Sequence, residues 1–238
     1  MATGNQKLFA LLIDADNIPA KHAADILKEI TTFGEPALRR VYGDWTSPQL
    51  GDWAKTAKTL GLVAHQESAN TTGKNASDIG LVIDAMDILH SGRFDGFILV
   101  SSDSDFTALA NRIREQGLEV IGIGERKTPL SLRKVCNRFV FIENISGETE
   151  PVKNKGKTPA NKSKKQEAAS LIIAAMDNIN QEDEWYRLSE LGSQIMRANS
   201  DFDVRSYGHK KLSELVSALP LFETRKQDTH LLVRRTDT

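Results

Sequence analysis

Two short stretches carry paired aspartates where an apolar run ends. "LFALLIDADN" places Asp14 and Asp16 directly after a run of six apolar residues, and "GFILVSSDSDF" places Asp103 and Asp105 just after another. In open α/β sheets, functional groups collect beyond the carboxyl ends of the strands. If the two runs are neighbouring strands, Asp14, Asp103 and Asp105 converge in one crevice. Asp78, at the start of the segment "SDIGLVIDAMDIL", could join them from a helix N-terminus. Carboxylates crowded together repel, and a cation is the usual remedy. An all-oxygen set without Cys or His favours a hard ion, Mg²⁺ or Mn²⁺. Such an ion can activate water and bear the charge that develops on a phosphodiester under attack. Asn17 is neutral and can orient a water or a phosphate oxygen. Each aspartate taken singly also suits a helix cap; two clusters at two strand ends make the metal reading the stronger one.

Asp84 and Asp87 lie inside the Asp78 helix. At about 100° per residue neither shares the azimuth of Asp78, so both are expected as solvated charges or as partners of the site at one remove. Lys74 precedes Asp78, and "GIGERKTP" sets Arg126 and Lys127 after a further strand. A carboxylate pit rimmed by cations suits a polyanion that reaches it through a metal, although each of these three also reads as an ordinary turn residue.

The elements that must position these groups alternate. Residues 8–13, 37–43, 62–66, 96–100 and 119–124 read as strands, and "FVFIENI" (139–145) as a sixth. All-apolar strands such as "GFILV" imply burial on both faces. Between them lie helices: one opening near Pro19 with Ile26, Leu27 and Ile30 inward, one with Trp53, Ala57 and Leu60, and one with Ile79, Val82, Ile83, Met86 and Leu89 inward. Two more follow, one ending at Gly117 and one holding Leu130 and Val135. The alternation predicts an α/β, Rossmann-like, mostly parallel sheet with helices on both faces, over residues 1–147.

Composition then shifts. Residues 148–165 are rich in Lys, Asn, Pro and Gly, with Val152 as the sole large apolar residue, and read as a flexible linker. Its lysines form a cationic tract suited either to solubility or to non-specific phosphate contact. From 166 to 238 three amphipathic helices and two short strands joined by a polar turn suit a small winged-helix-like domain.

The whole chain has 238 residues, 39% hydrophobic and 26% charged, with a formal net charge of -1. That balance fits a globular protein with a core and gives no global basic excess, so a nucleic-acid case must rest on local patches. A lone cysteine, Cys136, excludes an internal disulfide and favours a reducing, cytoplasmic setting. The first residues, "MATGNQK", lack the layout of a signal peptide. No apolar run approaches the roughly 20 residues of a membrane span, so no membrane partner is expected.

Taken in order, "LIDADN", "VYGDW", "GKNASDIGLVIDAMD", "DGFILVSSDSDF", "GIGERKTP" and "NRFVFIENI" resemble the NYN domain of the limkain/LabA-like type, in the PIN-like nuclease group. The resemblance implies a metal-dependent ribonuclease with Asp14, Asp78, Asp103 and Asp105 as its acidic site and Asn17 as polar companion. "YGHKKLSELVSALPLFE" resembles part of a LOTUS (OST-HTH) domain, which implies RNA binding or docking to RNA-handling proteins. Within it Tyr207, His209, Lys210 and Lys211 are candidate RNA contacts, with Arg225, Lys226, Arg234 and Arg235 on the wing; Tyr207 reads equally as a core aromatic. The expected substrate is single-stranded or structured RNA, and a homo-oligomer is compatible with the sequence. Two rivals stand beside this reading: a non-catalytic RNA-binding or scaffolding protein, and a haloacid dehalogenase-like phosphohydrolase. The last would want Thr or Ser soon after the first acidic pair, where this chain has "NIP".

Overall fold

The computed structural model describes residues 6–66, 76–147, 159–179, 181 and 183–236. The chain forms two compact units, residues 1–148 and 149–238.

The first unit is built on a six-stranded sheet in the order β3-β2-β1-β4-β5-β6. The strands are β1 (Leu8–Asp14), β2 (Glu35–Gly43), β3 (Val63–Gln66), β4 (Gly96–Val100), β5 (Glu119–Gly124) and β6 (Arg138–Phe141), and every pairing is parallel. The chain fills one half of the sheet with β1 to β3, then crosses back to lay β4 against β1. That reversal is the topological switch of an open α/β sheet, where a crevice forms at the carboxyl ends.

Among the described residues, six helices cover the sheet: α1 (Ala23–Ile30), α2 (Gly51–Leu60), α3 (Ala76–His90), α4 (Thr107–Glu115), α5 (Leu130–Val135) and α6 (Ile142–Ile145). Phe9, Leu11 and Ile13 of β1 face a core shared with α1, α2 and α6. Ala10 and Leu12 face the opposite core, shared with α3, α4 and α5. Burial on both faces is why "LFALLI" and "GFILV" carry no polar residue: each large side chain removed from water contributes about 1.5–3 kcal/mol. Only at the carboxyl ends can polar groups appear.

Two details differ from the sequence reading. "FVFIENI" is a strand only to Phe141, and Ile142–Ile145 turn into α6. Ile79 and Ile83 do not face inward; each is 60% exposed. α3 buries Leu89, as expected, together with Leu81, Ala85 and Ile88, and Val82 and Met86 pack partly buried against the same core. Apolar residues occupy most of the circumference of α3, so periodicity alone could not choose the buried stripe.

The second unit holds α7 (Pro159–Asn178), α8 (Leu188–Ala198) and α9 (Leu212–Ser217) with a three-stranded antiparallel sheet. Its strands are β7 (Tyr186–Arg187), β8 (Phe222–Gln227) and β9 (His230–Arg235), in the order β7-β9-β8. Ala168, Ile172, Leu191, Ile195, Leu215, Val216, Phe222 and Val233 form its core. α7 reaches back into the lysine-rich tract, whose residues 148–158 lie outside the described residues.

Candidate active site at the strand ends

Asp14 ends β1, and the pairing of Ile13 with Val100 sets it beside Ser101, the first residue after β4. The two acidic stretches are thus adjacent. Asp14 is buried, at 1% exposure, and is held by four hydrogen bonds. The backbone N–H groups of Asp16 and Asn17 donate to Oδ1, at 3.1 and 3.2 Å. The Asn17 amide and the Ser101 hydroxyl donate to Oδ2, each at 2.7 Å. Burial raises the pKa of Asp14, and the hydrogen bonds from Ser101 and Asn17 oppose that rise.

Ser101 links the two acidic stretches, because its Oγ also accepts the backbone N–H of Asp103 at 3.1 Å. Asp103 caps the single 3₁₀ turn of Ser104–Phe106, its carboxylate accepting the N–H of Asp105 at 2.9 Å. Capping, one of the two roles weighed from sequence, is therefore real for Asp103, but the cap sits against the buried Asp14. Gly124 of β5 permits the close passage: a Cβ there would lie 2.6 Å from the Ser101 carbonyl and 2.7 Å from Thr128 Oγ1.

Asp78 comes from the first turn of α3. Its pKa is pushed up to about 6, first by burial and then by the charges of Asp14, Asp103, Asp16 and Asp105. Five carboxylates therefore share one electrostatic field. Asp16, which sequence reasoning noted but left out of the site, is exposed and accepts the Ser77 hydroxyl at 2.7 Å. Ser101 was missed altogether. Its one sequence signal is its place, first after an all-apolar strand and two residues before an aspartate.

α3 is fixed over the strand ends by a side-chain network. Asp84, expected as a solvated charge or a partner at one remove, accepts hydrogen bonds from Arg40 and from the Tyr42 hydroxyl, both on β2. Burial alone would raise the pKa of Asp84; these two donors and the Arg40 charge outweigh it and hold it below the ordinary carboxylate range. Burial and the Asp84 charge together push the Tyr42 hydroxyl upward.

The NYN domain family matches residues 9–143, more than half of the chain. The chain belongs to the NYN domain family. The OST-HTH/LOTUS domain family matches residues 161–233. A crystal structure of a protein of unknown function from Vibrio parahaemolyticus is similar in fold, with a TM-score of 0.50 and 22% identity, over 60% of this chain and 96% of that one. Comparison with curated proteins gives no match.

In the NYN domain the two described cations of the expected rim are engaged locally. Arg126 donates its backbone N–H to Glu143 at 2.9 Å and its guanidinium to Asn144 at 2.8 Å, and lies 5.2 Å over the Phe141 ring. Lys127 pairs with Glu125. Lys74 lies outside the described residues. Among the described residues no group of three or more His, Cys, Asp or Glu is drawn together closely enough to hold a metal ion. Cys136 is buried, its thiol pushed up to about 12 by burial, and donates to the Leu132 carbonyl. It is a core residue and not a nucleophile.

In the LOTUS domain Tyr207 closes a 3₁₀ turn, Val204–Tyr207. It is half-buried against the core, its ring centre 5.8 Å from that of Phe202, and its hydroxyl donates to Glu167 of α7 at 3.3 Å. Gly208 then takes a left-handed conformation, φ 81°, that ends the turn. α9 accordingly begins only at Leu212, so Lys210 and Lys211 precede the third helix and do not ride on it. Both lysines are exposed, and His209 is half-buried. Lys164 of α7 donates to the Ser206 carbonyl at 3.4 Å, which brings the lysine-rich start of α7 to the same end of the domain. On the wing, Arg225 and Arg234 lie over the Trp185 ring at 4.3 and 4.8 Å, and Arg234 also pairs with Glu223 and Glu184. Lys226 and Arg235 are exposed.

Among the described residues no helix is long and apolar enough to cross a membrane.

Proposed function

We propose that the chain is a divalent-metal-dependent ribonuclease whose LOTUS domain binds RNA. The observation that carries this reading is the adjacency of β1 and β4, which sets Asp14 against the Ser101–Asp103 turn with Asp78 in the same field. The donor chemistry fits a hard cation: every group is a carboxylate oxygen, and the charge on Asp78 is disfavoured until a positive charge arrives. Asp14, Asp78, Asp103 and Asp105 are the residues that would hold Mg²⁺ or Mn²⁺. When bound, the ion would supply an activated water and charge stabilisation at the phosphate.

The chain's own residues do the rest. Ser101 keeps Asp14 and the Asp103 turn in fixed relation. Asp84, Arg40 and Tyr42 hold α3 so that Asp78 stays over the crevice. Asn17 is placed to orient a water or phosphate oxygen. In the LOTUS domain, Lys210, Lys211 and Lys164 offer a cationic end for RNA phosphates. A tether makes contact at the second domain intramolecular, so a weak grip there raises the RNA concentration near the first.

The NYN match favours this reading over a haloacid dehalogenase-type phosphohydrolase. A second reading, RNA binding without cleavage, draws on the lack of a preformed carboxylate cage among the described residues. One experiment separates the two. Single-stranded, hairpin and duplex RNA are incubated with the protein in Mn²⁺, Mg²⁺ or EDTA, and product ends are mapped. Ion-dependent, EDTA-sensitive cleavage is expected; binding with no cleavage in either ion would leave the second reading.

A further inference from the structure

We infer that the Asn17 side chain is a latch that occupies the coordination position of Asp14 and must let go before a cation can bind there. The inference rests on the metal reading above and specifies how that site is controlled. An ionised carboxylate has about four acceptor positions. All four on Asp14 are used, two on each oxygen. A cation can reach Asp14 only if one donor leaves.

Three of the four donors are pinned. The Asp16 and Asn17 N–H groups belong to a turn fixed at both ends: Ala15 N–H donates to the Tyr42 carbonyl at 2.9 Å, and Ile18 N–H to the Asp14 carbonyl at 3.1 Å. The Ile18 carbonyl is itself held by the Trp53 indole at 2.6 Å. Ser101 is buried, at 3% exposure, and its Oγ is also bound to the N–H of Asp103. The Asn17 amide differs. Its side chain is half-buried, and the bond of Nδ2 to Asp14 Oδ2 can break by side-chain rotation alone. An amide N–H is a donor with no affinity for a cation, so it competes with the ion. Rotation frees Oδ2 of Asp14, and the amide is then available to a water or a phosphate oxygen. The same latch accounts for carboxylates that share a field without forming a cage: Asp14 faces inward to its own donors.

The test uses the full chain and no RNA. Mg²⁺ is titrated into ¹⁵N-labelled protein, and the Asn17 side-chain amide signals are followed, assigned by their loss in Asn17→Ala. A large shift that saturates together with the Asp78 and Ser101 backbone signals is expected. Separately, calorimetry with Mn²⁺ compares the parent with Asn17→Ala. Removing the competitor should tighten Mn²⁺ binding about ten- to a hundredfold, given that a hydrogen bond to a charged group contributes on that scale. Saturable ion binding with unmoved Asn17 signals, or binding that is unchanged or weaker in Asn17→Ala, would overturn the latch and leave the metal reading standing. No binding of either ion to the parent would overturn both.

Discussion

The acidic strand ends of the NYN domain and the lysine-bearing end of the LOTUS domain are built in opposite ways. At the strand ends of the NYN domain, one carboxylate is buried and fully hydrogen-bonded among four others that repel it: Asp14 is 1% exposed and has four donors, while Asp78 and Asp103 are half-buried and Asp16 and Asp105 exposed. At the end of the LOTUS domain formed by Lys164, Lys210 and Lys211, charge is exposed and lies outside any core. The first arrangement costs stability and gives positional accuracy, which bond-breaking chemistry needs. The second costs little and gives a diffuse, salt-sensitive attraction, which suits holding a polyanion without reading it. Arg234 shows the intermediate case: already paired with Glu184 and Glu223, it is better suited to bracing the Trp185 face than to gripping phosphate.

The largest expected effect tests the first half of that contrast. Asp103→Asn should remove ion-dependent RNA cleavage down to the level seen without protein, while circular dichroism and melting stay near those of the parent. Asn can still accept the N–H of Asp105, so the turn survives. Full cleavage by this variant would sever the link between the buried acidic end and catalysis.

Tyr207→Ala comes next. A half-buried aromatic in the LOTUS core should cost about 1–3 kcal/mol when truncated, less than a fully buried one. Tyr207→Phe, which loses the hydroxyl and its bond to Glu167, should cost under about 1 kcal/mol. Chemical denaturation of the full chain measures both. Tyr207→Ala with parental stability and weaker RNA binding would instead make Tyr207 a stacking platform.

A smaller effect is pH-dependent. The folded pKa of Asp78 is raised to about 6, above its unfolded value near 3.9. Its stabilising contribution is therefore complete below the unfolded value and is lost as pH rises through about 6. Asp78→Asn removes that loss. After discounting for solvent screening, the variant should be more stable than the parent by about 1–2 kcal/mol at pH 8 in metal-free buffer, which is a rise of roughly 2–8 °C in melting temperature. At pH 4 the gain should shrink towards zero. Mn²⁺ should raise the melting temperature of the parent more than that of the variant. An equal gain at both pH values would mean that neither burial nor the neighbouring carboxylates raise the pKa of Asp78.

The smallest effect belongs to the exposed lysines. Changing Lys210 and Lys211 together to Ala should leave stability within about 0.5 kcal/mol. It should reduce the log–log salt slope of single-stranded RNA binding by about 1.4, two contacts at roughly 0.7 each. An unchanged slope would move the RNA grip elsewhere and make protein docking the better role for this end.

The sequence by itself determined the layers. All-apolar runs such as "LFALLI" and "GFILV" are local and unambiguous, since a parallel strand buried on both faces tolerates nothing else. The acidic residues that end them were legible for the same reason: polar groups are excluded until the sheet stops. The change of composition after residue 147 was equally visible, because a tract with Val152 as its sole large apolar side chain has little to bury. What the tertiary structure decided were relations between segments far apart in the chain. That β4 lies against β1, with β2 and β3 on the other side, is a matter of crossover and total burial, and no short window contains it. Ser101 therefore looked like an ordinary loop serine until its hydroxyl was placed 2.7 Å from Asp14. Asp84 read as a solvated charge or a partner at one remove until its bonds to Arg40 and Tyr42 set its face of α3 toward β2, with Ile79 and Ile83 outward. A helix that is apolar nearly all round takes its rotation from such pinned polar contacts and from the shape of the sheet beneath it, because hydrophobic burial is non-directional and leaves that choice open.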